Sequence, residues 1–147
     1  MKPKVYIDGQ EGTTGLQIYE RLGGRDDIEL LLIDPDKRKD LTERKKLLNA
    51  AHLCFLCLPD AAAMEAVSLI ENEKTKVIDA STAHRTAEGW TYGFPELLAG
   101  QRQRIKFAKR VANPGCHATG FLASAAPLTA MGVLSKDAAL PCFSLTG

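Results

Sequence analysis

The sequence predicts an α/β fold built on a doubly wound parallel sheet, followed by the start of a second, α+β domain. Three observations predict it. Short apolar runs alternate with helical stretches as β-α-β-α-β-α-β between Lys4 and Asp79, the pattern of a parallel sheet covered on both faces. Gly9, Gly12 and Gly15 form G-x-x-G-x-x-G between the first strand and the first helix. A second strand-to-helix junction carries Asn113-Pro114-Gly115-Cys116. The glycine turn makes the sheet one of Rossmann type.

The elements follow in order. Lys4–Asp8 is a short strand. Residues 13–22 form a helix whose apolar side is Leu16, Ile18, Tyr19 and Leu22, stopped by Gly23-Gly24. Residues 28–33 are apolar except for Glu29, as in a strand buried on both faces. Residues 40–50 form a charged helix with Leu41, Leu47 and Leu48 inward, and residues 52–58 a third strand. Residues 60–70 form an alanine-rich helix with Asp60 as its N-cap. Lys76–Asp79 is the fourth strand, and the crossovers are expected to be right-handed.

Residues 81–103 show no periodicity and hold Gly89, Gly93, Pro95 and Gly100; a long excursion of this kind is usually functional. Residues 105–112 resume as a strand, and residues 117–131 form a helix that Pro127 kinks or ends. Residues 140–145 begin another strand with no successor to pair with. The expectation is therefore an N-terminal piece of a longer enzyme: residues 1–114 a dinucleotide-binding domain, residues 115–147 the incomplete beginning of a substrate domain.

Composition narrows the function classes. With 147 residues, 45% hydrophobic and 25% charged, the chain is an ordinary globular sequence. The net charge of +1, without basic residues interleaved among aromatics, gives no case for nucleic acid. Lys37-Arg38-Lys39 is offset by Asp34, Asp36 and Asp40. No stretch approaches the roughly 20 apolar residues of a membrane span, and no signal peptide opens the chain. Four cysteines without a signal point to reduced thiols in the cytoplasm. Cys54 and Cys57 form C-x-x-C inside an apolar strand, where packing accounts for them better than redox or metal chemistry. Zinc would need two further ligands, and none is suitably spaced.

The glycine turn has the physics of a dinucleotide site. One glycine permits the turn, another lets backbone approach the pyrophosphate, and a third lets helix pack on strand. Free N–H groups and the helix dipole then face the phosphates. The first gap is one residue longer than in G-x-G-x-x-G, and a purely structural turn is the competing reading. Asp34 stands where an acidic residue binds the ribose 2′-hydroxyl, which favours NAD. Arg38, between Lys37 and Lys39, could neutralise a 2′-phosphate, which favours NADP. The balance leans to NADP, with NAD left open.

Cys116 sits at a helix start, where free N–H groups favour thiolate over thiol. Such a nucleophile attacks a carbonyl and forms a thioester. Gly115 lets the backbone turn sharply, and Thr119 could cap the helix or bind phosphate. The competing reading is a buried structural cysteine. Of the three histidines, His52 opens a strand, His84 in the long loop is a possible substrate contact, and His117 is a poor base for Cys116. Helical neighbours point about 100° apart.

Four stretches converge on a known family. They are residues 9–15; Val77-Ile78-Asp79-Ala80-Ser81 with Arg85; Tyr92-Gly93-Phe94-Pro95-Glu96-Leu97; and Val111-Ala112-Asn113-Pro114-Gly115-Cys116 with Thr119. The chain resembles the N-acetyl-γ-glutamyl-phosphate reductases, most closely their short form, within the semialdehyde dehydrogenase superfamily. Many members carry Tyr-Pro after the cysteine, where this chain has His117-Ala118. The resemblance implies NADPH-dependent reduction of N-acetyl-L-glutamyl 5-phosphate to the 5-semialdehyde through a cysteine thioester, with release of phosphate, in arginine biosynthesis. It implies Cys116 as nucleophile, and Gly9, Gly12, Thr13, Thr14, Gly15 and Ser81 at the cofactor, where Asp34, Arg38 and Pro59 are expected to join them. It also implies Arg85, Asn113, Gly115 and Thr119 at the substrate, no metal, a catalytic histidine beyond residue 147, and a homo-oligomer.

Three alternatives stay open. An aspartate-semialdehyde-dehydrogenase-like enzyme shares fold and mechanism but usually has threonine directly after the cysteine. A non-catalytic NADP-binding fragment would make Cys116 structural or redox-sensing. A thiol hydrolase would leave the glycine turn unexplained.

Overall fold

A computed structural model describes residues 1–145 of the chain. The elements run β1 (Lys4–Asp8), α1 (Thr13–Gly23), β2 (Glu29–Leu31), a 3₁₀ turn (Pro35–Lys37), α2 (Leu41–Ala50), β3 (Leu53–Leu56), α3 (Asp60–Ser68), β4 (Lys76–Asp79), β5 (Thr91–Tyr92), α4 (Gln101–Phe107), β6 (Arg110–Ala112) and α5 (Cys116–Ala130). Among the described residues six strands form one sheet in the order β2-β1-β3-β4-β6-β5. Every pairing is parallel. The doubly wound α/β expectation is therefore met.

The core lies where β1, β3 and β4 meet α2 and α3. Tyr6, Leu48, Cys54, Leu56, Ala63, Ala66 and Val77 are buried together. Alanines on α3 allow that helix to lie close to the sheet. Asp40 caps α2, its carboxylate accepting from the N–H groups of Thr42 at 2.8 Å and Glu43 at 3.2 Å.

Several expectations need correction. β2 is a short edge strand paired only with β1; Leu32 beyond it is exposed, so residues 28–33 are not buried on both faces. Leu16 on α1 and Leu41 on α2 face solvent. Asp60 is the first residue of α3, and Pro59 is the N-cap. The Asp60 carboxylate instead accepts from the N–H of Thr82 at 2.8 Å and from its hydroxyl, and these bonds hold its carboxyl below the usual range. The excursion after β4 contains β5, and residues 105–107 end α4 instead of starting a strand. Pro127 lies in the last turn of α5, which ends at Ala130. Residues 140–145 form no strand. α5 buries none of its residues, and Phe121, Leu128 and Met131 are exposed.

One buried ion pair ties α2 to the sheet. Asp8, at the end of β1, accepts from Arg44 Nε at 3.2 Å and Nη2 at 3.0 Å. Arg44 Nη1 also reaches Glu65 of α3 at 2.8 Å. Asp8 and Arg44 are 4% and 6% exposed, so little water is at hand to replace either partner. Removing one partner of a buried pair costs about 3–5 kcal/mol. Arg44→Met is therefore expected to lower unfolding free energy by about that amount in denaturant titrations. Asp8→Asn in the same chain should recover part of the loss.

Candidate active site

A parallel sheet brings all strand C-termini to one edge, and two clusters form there. The first lies where the strand order reverses: β1 leads outward to β2, and the chain returns past it to β3. Ligands of open α/β sheets bind at such a point. Asp8 is in register with Leu56, and the Cys57 N–H donates to the Asp8 carbonyl at 2.8 Å. The glycine turn thus runs against the turn that follows β3.

The turn leaves no room for side chains at two of its glycines. Gly9 has φ +87°, and a Cβ there would stand 2.3 Å from the Cys57 carbonyl oxygen. A Cβ on Gly15 would stand 2.2 Å from the Gly9 oxygen. Gly12 is different: its nearest neighbour would be 3.5 Å away. Gly12 is the N-cap of α1 and no side chain caps that helix, so its first-turn N–H groups suit an anion.

Beside the turn lies a cavity of about 620 Å³. Gly9, Gly12, Arg38, Arg44, Leu58 and Ala62 are among its lining. Arg38 pairs with Glu11, and both line the cavity. Glycine backbone, an uncapped helix start and a cation at the rim fit a phosphate-bearing dinucleotide.

The second cluster forms where β4 and β6 end side by side. Asp79 is in register with Ala112, and the Asn113 N–H donates to the Asp79 carbonyl at 2.7 Å. The chain then turns through Pro114 and Gly115 into α5. Gly115 is the N-cap, without a side-chain cap, and Cys116 is the first helical residue. Its thiol is exposed, so packing does not account for it. The Arg85 guanidinium lies against Gly115: a Cβ there would be 2.5 Å from Arg85 Nη1. Arg85 Nε donates to the Asn113 carbonyl at 3.3 Å. A cavity of about 290 Å³ opens beside Cys116, lined also by His117, Phe121, Cys142 and Phe143.

The structure brings some expected site residues together and separates others. Gly9, Gly12 and Arg38 line the first cavity; Thr13 and Thr14 open α1 beside it, and Gly15 is packed beneath the turn. Asp34 does not line the cavity; its carboxylate accepts from the Asp36 N–H at 3.0 Å, while Pro35 next to it lines the wall. Pro59 serves as a helix cap outside the lining. Ser81 is buried, its hydroxyl donating to Asp79 at 2.6 Å. Arg85, Asn113, Gly115 and Cys116 converge. Thr119 does not cap α5; its hydroxyl donates back to the Gly115 carbonyl at 2.8 Å. His84 is no surface contact: it is buried against Asp79 and Trp90. His52 accepts from the Lys4 N–H at 2.9 Å, a structural bond as expected.

Sequence reasoning missed Glu11, Arg44 and Glu65 at the first cavity. A charged residue two positions after Gly9 was visible in the sequence, but its partner Arg38 was not. Among the described residues no group of three His, Cys, Asp or Glu side chains is placed to hold a metal. Among the described residues no helix is long and apolar enough to cross a membrane.

The family described as "Semialdehyde dehydrogenase, NAD binding domain" matches residues 32–107. The chain belongs to this semialdehyde dehydrogenase family. The domain is thus one that takes a nicotinamide cofactor. The chain is 57% identical over 146 residues to a protein of Trichormus variabilis named N-acetyl-gamma-glutamyl-phosphate reductase, covering 99% of this chain and 45% of that one. It is 54% identical to one of the same name from Chelativorans sp., covering 100% and 47%. The chain spans about half the length of these curated relatives. Among solved structures it resembles aspartate semialdehyde dehydrogenase from Francisella tularensis, with a TM-score of 0.63 and 17% identity over 88% of this chain and 41% of that one. A Vibrio cholerae aspartate semialdehyde dehydrogenase II gives 0.60 and 17%, covering 88% and 47%. These two establish the fold of the semialdehyde dehydrogenase domain.

The four thiols of the domain divide sharply. Burial pushes the Cys54 thiol up to about 12 and the Cys57 thiol up to about 11, while Cys116 and Cys142 are exposed. At pH 8 iodoacetamide is expected to label Cys116 and Cys142 and to spare Cys54 and Cys57 until the chain is unfolded, as read by peptide mass. Folding holds the two buried protons. Their contribution to stability is present below the ordinary thiol value of 9.0 and is lost as pH rises through 11 and 12.

Proposed function

We propose that this chain is the cofactor-binding half-site of an NADPH-dependent acyl-phosphate reductase acting on N-acetyl-L-glutamyl 5-phosphate, a step of arginine biosynthesis. One observation carries the proposal: an exposed cysteine at an uncapped helix start, with a guanidinium against the preceding glycine, on the same sheet edge as a cavity walled by the glycine turn. The names of relatives at 57% and 54% identity supply the substrate.

In this mechanism the Cys116 thiolate attacks the acyl carbonyl. The carbon–oxygen bond to phosphate breaks, and a thioester and free phosphate result. The N–H groups at the start of α5 favour thiolate and developing negative charge. Arg85, held near by the Asn113 carbonyl, receives the phosphate of the substrate. Gly9, Gly12, Thr13 and Thr14 take the cofactor's pyrophosphate, and Arg38 its 2′-phosphate. A bound nicotinamide dinucleotide supplies the hydride that reduces the thioester.

Residues 1–114 are proposed as the cofactor domain and residues 115–147 as the start of the substrate domain. The exposed apolar residues of α5, with Phe143 and Leu145, support that division. The acid–base histidine is proposed to lie outside residues 1–147, as the family resemblance implies. A homo-oligomer and a cytoplasmic location complete the proposal; the four free thiols support the latter.

Two experiments test it. In the full-length enzyme, Cys116→Ser should abolish phosphate-dependent reduction of NADP with N-acetylglutamate semialdehyde; retained turnover removes Cys116 as nucleophile. Arg38→Gln should weaken NADP binding by about tenfold and leave NAD unchanged in calorimetric titrations. An equal loss for both would return the choice of cofactor to Asp34.

A further inference from the structure

Asp79 is fully buried at the end of β4, with 0% exposure. A carboxylate without water needs donors, and the chain folds back to provide them. Oδ1 accepts from the Ser81 N–H at 3.0 Å. Oδ2 accepts from the Ser81 hydroxyl at 2.6 Å and faces His84 Nδ1 at 2.6 Å. A carboxylate already receiving two bonds makes Nδ1 the donor. The His84 ring also stacks on Trp90, with centroids 4.1 Å apart and planes 13° from parallel. Trp90 in turn packs against the core cluster.

The residues between are pinned as well. The Ala83 N–H donates to the Ser81 hydroxyl oxygen at 3.2 Å, and Thr82 is held by Asp60 on α3. Ala87 and Trp90 close successive turns on the carbonyls of His84 and Ala87, each at 3.3 Å. Arg85 follows His84 directly. With the His84 ring fixed on both an edge and a face, the Arg85 side chain emerges toward Asn113 and Gly115.

We infer that His84 is a positioning residue: bonded to Asp79 and stacked on Trp90, it sets the Arg85 guanidinium against Gly115 and so builds an anion subsite beside Cys116. This deepens the proposed function and rests on its assignment of Arg85 to the anionic leaving group. His84 acts through Arg85; it is 8% exposed and its Nδ1 is taken up by Asp79.

The subsite can be read in this chain without turnover, by the charge dependence of Cys116 alkylation. The rate with anionic iodoacetate is divided by the rate with neutral iodoacetamide, both followed on the Cys116 peptide so that Cys142 does not enter. Arg85→Gln should lower the ratio about fivefold, the effect of one nearby charge in a solvated site. His84→Phe keeps a ring for Trp90 but loses the bond to Asp79, and should lower the ratio comparably. His84→Asn, whose amide can donate to Asp79, should restore most of it. Circular dichroism melts establish that each variant is folded. Should His84→Phe not fold, His84→Ala is measured with and without free imidazole, which should raise the ratio again. A folded His84→Phe with a normal ratio, or an Asn variant or imidazole that rescues nothing, overturns the positioning role while Arg85→Gln still lowers the ratio. An unchanged ratio in Arg85→Gln itself overturns the assignment of Arg85 in the proposed function.

Discussion

The chemistry of this chain depends on one property of parallel sheets: every strand ends at the same edge. Hydrogen-bonded register then decides which endings are neighbours. The turn after β1 meets the turn after β3, and the turn after β4 meets the turn after β6. The first meeting makes a cavity walled by the glycine turn, and the second sets a guanidinium against the glycine that precedes an exposed cysteine. Neither meeting survives a change of strand order.

Each meeting is organised by a buried aspartate at a strand end, and the two are satisfied differently. Asp8 has a cation, Arg44, which is itself shared with Glu65. Asp79 has Ser81 and an imidazole and no guanidinium. A buried ion pair fastens two distant elements, here α2 and β1. A carboxylate satisfied by local donors instead winds its own loop around itself. That is why the chain after β4 is compact although it shows no periodicity.

Much of the fold was legible in the sequence, for identifiable reasons. Lys4–Asp8 and the helix after Gly12 were read nearly to the residue, because glycine and proline bound them locally; Lys76–Asp79, flanked by Thr75 and Ala80, was legible from its apolar pair Val77-Ile78. β2 was over-read: an apolar run looks the same in a central strand and at an edge. α4 was missed because Ile105 and Phe107 alternate with polar residues like a strand, yet Gly100, with φ +78°, turns the chain into a surface helix. Leu41 was placed inward by spacing, but only packing decides which residue of a stripe is covered.

By itself the sequence determined the alternation of strands and helices, the two glycine-bearing junctions and the cysteine at the second. Those are local properties: a left-handed φ at Gly9, or a helix start after Gly115, depends on adjacent residues. Only the tertiary structure decided which charges meet. Asp8 and Arg44 stand 36 residues apart, and Arg85 and Asn113 stand 28 apart. It also turned Ser81 and Thr119 inward and left Asp34 bonded to its own turn. Such pairings follow from strand order and register, which bring distant residues into contact and leave no periodic trace along the chain.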